Sequence, residues 1–429
     1  MPFRIALSGL NAASSDLQVT GNNIANASTN GFKSSRAEFA DVYATSLGGV
    51  SDTAVGGGVR LARVSQQFAQ GNVEFTSNNL DLATNGEGFF VLNDNGSRVY
   101  SRAGAFSVDR DGYVVNSTGQ QLQVFSPIGG SSTAFNTGSL NNLQISLTEG
   151  APNPTSSVEM ALNMDASDAS AGAAAATSAA AIAAFDPAVP STYNYSTSYT
   201  VYDSLGAQHT STMYFLKDNI TNNTWHSWLY VDNGTASTNV TQGGGTPYST
   251  MVFNTDGSLA SVNGAASPTV TYDPLAMGNG AANLALTQDY SSVTQFGGDY
   301  AVNSLYQDGF STGRLTGLDV SDTGVVSARY TNGQSTALGK IALANFPNVQ
   351  GLRQLGDTNW AETYGSGGVL VGEAGTASFG LIQSGALESS NVDIAEQLIN
   401  LITAQRNFQA NSQVISTADT ITQTIINIR

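Results

Sequence analysis

Cysteine is absent from the 429 residues, which removes disulfides, thiol catalysis and thiolate metal sites together. Charge is scarce, at 11% of residues. Only Lys33, Lys217 and Lys340 are lysines, and no basic run occurs. Nucleic-acid binding, which needs clustered Lys and Arg against phosphate, is thereby excluded. No apolar run approaches the ~18 residues of a membrane span, so no membrane insertion is expected. The N-terminus lacks a charged region followed by an apolar one, so an ordinary secretory signal is not expected either. What remains is acidic and turn-rich. The chain carries 32 acidic against 15 basic residues, a net charge of −17, together with 46 glycines and 9% aromatics. That composition, with its many Ser, Thr and Asn residues, fits a β protein with a large polar surface, common among extracellular proteins. The length predicts two to four domains.

The two ends differ from the middle. Phe3, Leu10, Leu17 and Ile24 stand seven residues apart, with Leu7 beside them and Ala6 and Ala13 at a second heptad position. Leu387, Ile394, Leu401, Phe408 and Ile415 repeat at the same interval, widened by Leu398 and Ile425. Such spacing lays apolar residues along one face of a helix. Helices are therefore expected within residues 1–30 and over 387–429, with Ser8 and Asn391 as local caps. An intramolecular hairpin of the two is one arrangement. Each buried stripe residue stabilises by ~1.5–3 kcal/mol, whereas each ordered residue costs ~1–2 kcal/mol before other contacts offset it. The ends are thus expected to be loose alone and to order where neighbouring copies cover them.

The middle reads as strands separated by turns. Asn95-Gly96, Asp111-Gly112 and Asn332-Gly333 supply the positive φ of tight hairpins. Two β blocks, about 71–146 and 288–385, flank an inserted region. That region opens with 12 alanines in the 19 positions 166–184, expected to be a low-complexity loop or short helix. It continues with aromatic strands around Tyr199, Tyr214, Trp225, Trp228 and Met251. Gly48, Gly49 and Gly56 to Gly58 suggest a flexible connector, with Arg60 and Arg63 pointing to a hinge or wedge. The expected fold class is α+β, mainly β: coiled-coil-like terminal helices plus two β-rich domains, the outer inserted into the inner. Its divisions are 1–30 with 386–429, a connector at 31–70, an inner domain of 71–146 with 288–385, and an outer domain at 147–287.

Chemistry is sparse. His209 and His226, the only histidines, fall in predicted strands and are expected to face solvent. No Gly-x-Ser-x-Gly, His-Glu-x-x-His or phosphate-binding motif occurs. Asp109-Arg110-Asp111-Gly112 lacks the later ligands of a calcium loop and reads as a plain turn. No catalytic residue, metal site or cofactor is expected. Tyr193, Tyr195, Trp225 and Trp228 are candidates for an aromatic platform, though strand-core packing accounts for them better.

The motifs at both ends point to one family. Ala6-Leu7-Ser8-Gly9-Leu10-Asn11-Ala12-Ala13, then Gly21-Asn22-Asn23-Ile24-Ala25-Asn26 and Gly31-Phe32-Lys33, resemble the signature of bacterial flagellar rod and hook proteins. Leu80-Asp81-Leu82-Ala83, Gly86-Glu87-Gly88-Phe89-Phe90 and Tyr100-Ser101-Arg102-Ala103-Gly104 are similar to the start of that family's inner β domain. Gly385-Ala386-Leu387-Glu388-Ser389-Ser390-Asn391-Val392-Asp393 and Ala404-Gln405-Arg406-Asn407-Phe408-Gln409-Ala410-Asn411 match its ending. The likeness spans residues 1–146 and 305–429. Length, the inserted domain and Gly309-Phe310-Ser311-Thr312-Gly313-Arg314-Leu315 resemble the hook members rather than the shorter rod members, while the Ala-rich stretch departs from the family pattern.

The resemblance implies a structural subunit, not an enzyme, that self-polymerises into a tubular, bendable universal joint. It implies paired helices in an inner tube and an outward-facing inserted domain. The seam would be Phe3, Leu7, Leu10, Leu17, Ile24, Leu387, Ile394, Leu398, Leu401, Phe408 and Ile415. The motif residues would be Asn22, Asn23, Asn26, Gly31, Phe32, Gln405, Arg406 and Asn407. Implied partners are further copies of the chain, the distal rod protein, the hook cap, the hook-filament junction protein and the flagellar export apparatus. The implied place is the extracellular hook, reached without a cleaved signal peptide. A rod or junction protein is the nearest rival reading, and a secreted β-rich adhesin or glycan-acting enzyme the distant one.

Overall fold

A computed structural model describes residues 2–42, 56–129, 131–146, 149–171, 177–376 and 378–427. The chain divides into two compact units. The first holds Met1–Leu147, Thr316–Arg329 and Ser335–Arg429, the second Thr148–Leu315 and Tyr330–Gln334.

In the first unit, a β domain is built around the strand Ser335–Asn345. It pairs antiparallel with Val325–Tyr330, Gln121–Pro127, Phe89–Asp94 and Leu370–Glu373. Phe89–Asp94 continues through Ser97–Ser101 to Asn359–Ala361. Asn95 and Gly96 take φ of 50° and 95°, as the hairpin signal requires. Phe89, Tyr100, Phe125, Phe346 and Trp360 fill the core. Their rings meet largely edge to face, as at Tyr100–Phe346 with centroids 4.8 Å apart, the arrangement ring quadrupoles favour.

The N-terminal helix is Pro2–Ala25 and the C-terminal helix Ile394–Asn427. The latter starts seven residues later than the heptad pattern suggests. Asp393 Oδ1 accepts from the amides of Ala395 and Glu396, so Asp393, not Asn391, caps this helix. Leu387 therefore lies outside the helix, in the strand Ala386–Glu388 that pairs with Val73–Phe75. Ser8 is not a cap either, for it sits inside the N-terminal helix and donates to the Ile5 carbonyl.

The stretch 31–70 is not the coreless connector that the sequence suggests. Ser35–Asp41 and Val59–Gln66 form an antiparallel hairpin with a bulge at Glu38/Phe39. Phe32 and Lys33 are buried, and the Phe68 ring lies 5.7 Å from those of Phe89 and Trp360. Both ends of the stretch are thus tied into the β domain. Arg63 pairs with Glu38 across the hairpin. Gly48 and Gly49 lie outside the described residues.

The second unit begins and ends later than the expected 147–287. Ser157–Asp165 pairs parallel with Thr287–Asp289 and Thr294–Phe296, and antiparallel with Ala301–Gln307. These ladders place 288–315 in this unit. A six-stranded antiparallel sheet runs in the order Tyr195–Tyr202, Gln208–Lys217, Thr224–Asp232, Ser249–Phe253, Leu259–Val262, with Ser237–Asn239 at the side. Val158, Met160, Leu162 and Met164 alternate inward and meet Met213, Phe215, Trp225 and Met251 of that sheet in one core. The sheet's other face is covered too. Thr177 caps a short helix, Ser178–Ala183, and Phe185 stacks on Trp228 with centroids 4.0 Å apart. Part of the Ala-rich stretch is therefore a cover for the sheet, which explains why Thr224–Asp232 is buried on both faces.

Candidate functional site

The terminal helices pack against each other within one chain, so the hairpin arrangement is the one realised. They run antiparallel. Asn23 Nδ2 donates to Gln397 Oε1 at 3.1 Å near one end, while Phe3 borders a groove of about 680 Å³ with Val414, Ala418 and Ile421 at the other. Small residues permit close approach. Ala6, Ala13, Thr20 and Ala404 are buried in the shared face. A Cβ on Gly9 would lie 2.5 Å from Asn411 Oδ1, so a larger residue there must displace the Asn411 side chain.

The expected seam splits in two. Leu10, Leu17, Ile24, Leu401, Phe408 and Ile415 are half-buried. Phe3, Leu7, Ile394 and Leu398 are 43–52% exposed, the first two at one end of the antiparallel pair and the last two at the other. Ile399 and Ile402, absent from the heptad reading, are exposed as well, on the same helix as Ile394 and Leu398. The change comes in one step at the start of the C-terminal helix, for Ile394 is exposed while Leu401, Phe408 and Ile415 are all half-buried. Leu387 belongs to neither face. The Ile425 side chain lies outside the described residues.

The motif residues divide similarly. Asn23 is a three-way joint. Its Oδ1 accepts from the Ser35 amide at 2.8 Å, and its Nδ2 donates to the Ser35 carbonyl at 2.7 Å as well as to Gln397. It thereby extends the 35–66 hairpin's hydrogen bonding onto both helices. Asn26 Nδ2 donates to the Asn22 carbonyl, and Thr29 Oγ1 to Asn26 Oδ1, closing the turn after the helix. Gly31 has φ 70°, and a Cβ there would sit 2.4 Å from the Ala103 nitrogen. Gln405, Arg406 and Asn407 are exposed on the C-terminal helix.

Sequence reasoning missed the histidine pairs. Both histidines are buried, not solvent-facing, because each has an aspartate partner. His209 Nε2 lies 3.0 Å from Asp203 Oδ2 and His226 Nε2 3.2 Å from Asp218 Oδ2. Burial pushes the Asp203 carboxyl up, but hydrogen bonds from Asn279, His209 and the amides of Ala207 and Leu205 outweigh it and hold its pKa at about 2. Burial lowers His226, against the opposing pull of Asp218. Ser178 Oγ donates to Asp218 Oδ1 at 2.7 Å. The carboxylate thus stands between serine and imidazole, so no base faces the hydroxyl, and nucleophile activation needs the opposite order. Trp225 is fully buried and Trp228 lies under Phe185, so the suggested platform is core. No group of His, Asp and Glu that could hold a metal occurs among the described residues. No described helix is long and apolar enough to cross a membrane.

Four family models match the chain in order. They are the flagella basal body rod protein at 3–33, the flagellar hook protein FlgE/F/G D1 domain at 83–159, the flagellar basal body protein FlaE D2 domain at 163–310, and the flagellar basal body rod FlgEFG protein C-terminal at 383–428. The flagellar hook protein FlgE of Escherichia coli is 37% identical over 431 residues, covering 100% of both chains. That of Borreliella burgdorferi is 33% identical, covering 99% of this chain and 98% of its own. The crystal structure of the Helicobacter pylori flagellar hook protein FlgE2 shares the fold with a TM-score of 0.53 at 15% identity, covering 74% of this chain and 100% of that one. Full-length identity with relatives of this name, on a scaffold of paired terminal helices and two β units, settles the matter: the chain belongs to the flagellar hook protein family.

Proposed function

We propose that the chain is a non-enzymatic structural subunit that polymerises with its own copies into the tubular, bendable hook, the joint that carries torque from the basal-body rod to the filament. The observation that carries this reading is the set of large apolar side chains left exposed at both ends of a helix pair whose shared face is already closed. A helix pair satisfied by its own chain would not present Phe3, Leu7, Ile394, Leu398, Ile399 and Ile402 to water. Covering such half-exposed side chains stabilises by about 1 kcal/mol each, enough in aggregate to help offset the entropy of association.

The two contact types that a flexing tube needs are both supported by composition. Apolar helix contacts hold without relying on single hydrogen bonds. The second unit presents Ser, Thr and Asn surfaces whose water bridges exchange at small cost. Its exposed apolar residues include Leu205 and Ile220 at loop tips and Tyr306 on an edge strand. The finer placement follows from the same reading. The subunit works outside the cell, reached through the flagellar export apparatus without a cleaved signal, and meets the distal rod protein, the hook cap and the hook-filament junction protein.

The test is a pair of surface substitutions, Leu398→Gln with Ile402→Gln. Both residues are exposed in the single chain, so melting should be unchanged while tubes, viewed by electron microscopy, fail to form. Tubes of normal number and length from this variant would overturn the reading. Leu17→Asp or Leu401→Asp should also abolish polymerisation with the β units intact, but by prising the two helices of one chain apart.

A further inference from the structure

Two chain segments connect the helix pair to the β domain: 26–34 on the way out and 386–393 on the way back. Where they run together, three charged side chains meet almost out of contact with solvent. Lys33 Nζ donates to Glu388 Oε1 at 2.6 Å and to the Ala69 carbonyl at 2.8 Å. Both of these charged side chains are 0% exposed. Arg102 Nη1 donates to Thr84 Oγ1 at 2.8 Å and to the Gly86 carbonyl at 2.9 Å, and reaches Glu388 Oε2 at 3.5 Å. The Gly71 amide donates to Glu388 Oε1 at 2.9 Å. The Gly31 amide donates to the Glu388 carbonyl at 2.7 Å.

Three separate stretches of chain, at 31–33, 71 and 102, therefore converge on Glu388. Lys33 and Arg102 both reach the one buried carboxylate of Glu388, and Glu87 acts on Arg102 as a second negative charge. Stability alone does not favour such a group, since apolar residues of equal volume often serve as well or better. What apolar packing lacks is directionality. The Glu388 carboxylate is satisfied only when donors from 33, 71 and 102 all arrive in place. The surroundings reinforce this. Asn391 Oδ1 accepts from the Ser34 amide at 2.7 Å, and its Nδ2 donates to the Gln67 carbonyl at 2.7 Å, fastening the two connecting segments to each other and to the end of the 35–66 hairpin.

We propose that Lys33, Glu388 and Arg102 are positioning residues that lock the two segments leaving and entering the helix pair onto the β domain, so that copies joining through their helices carry their β domains on a fixed root. The lock rests on the self-assembly reading for its purpose, but not for its existence. Flexing of the assembled tube is then accommodated away from this joint.

The full-length chain tests it by hydrogen exchange on monomers and electron microscopy on polymers. Two variants are compared, Glu388→Gln and the paired apolar replacement Lys33→Met with Glu388→Leu. In both, amides of 26–34 and 386–400 should lose protection at least tenfold, while those of 89–94, 121–127 and 335–345 keep theirs. Any tubes that form should lack regular helical order, which a purely space-filling role would leave untouched. Wild-type protection and ordered tubes in the apolar pair would overturn the lock. Protection lost throughout the β domain in both variants would overturn it as well, because the cluster would then be a general core element. If the unaltered chain forms no tubes, the self-assembly reading fails while the exchange comparison still decides the lock.

Discussion

Asn23 shows how much a single side chain can hold. It meets both backbone groups of Ser35 and the Gln397 amide group at once. Asn23→Ala should destabilise by about 2 kcal/mol, because the Ser35 groups lose their partner. Asn23→Asp should cost more, since a carboxylate cannot donate to the Ser35 carbonyl. Far-UV circular dichroism melts of the helical signal would read both. Asp203 offers a pH test. Its pKa is depressed from 3.8 to about 2, so the unfolded form binds the proton more readily. The stability it contributes is full above 3.8 and is lost as pH falls toward about 2. Melting of the second unit should drop across that window, and Asp203→Asn should flatten that part of the profile. None of this was legible in the sequence. Asn23 stood out as a motif residue, and Lys33 as one of three lysines, but nothing in a linear string shows that Glu388 lies beside Lys33 from 355 residues away.

Elements were more legible than their partners. Seven-residue spacing identified both helices, and Asn95-Gly96 the hairpin it turns. The spacing could not tell where the second helix starts, because Leu387 is apolar for its strand and fits the heptad by coincidence. Nor could it tell which face meets which, since one heptad position holds both the exposed Ile394 and the half-buried Leu401. The Ala-rich stretch carried too little pattern to betray its role as a cover. Phe185→Ala should remove a stacked ring from Trp228 and cost about 3 kcal/mol, read by tryptophan fluorescence during denaturation of the second unit. Gly9→Leu should force the helices apart against Asn411 and destabilise by about 1–3 kcal/mol, with the β domain's melting left in place.

At the scale of the molecule, charge and connectivity set the behaviour. A net charge of −17 on every copy makes copies repel at low salt, and screening shortens the reach of that repulsion to ~10 Å at 0.1 M. Raising salt over this range should therefore speed polymer growth, followed by light scattering, and an unchanged rate would show that the charged surfaces stay far apart. The two-unit organisation was visible in the sequence, but its border was not. Residues 288–315 belong with the second unit because Ser157–Asp165 recruits their strands, a long-range pairing no local pattern reports. The antiparallel helix pair has a last consequence. Asn23 and Gln397 are 374 residues apart, so the pair closes across nearly the whole polypeptide. The N-terminal helix buries Ala6, Ala13 and Thr20 only once the C-terminal helix and the 35–66 hairpin are in place. A chain that emerges head first thus lacks the exposed Ile394, Leu398, Ile399 and Ile402 until its tail has followed, and its stickiness is timed by its own completion.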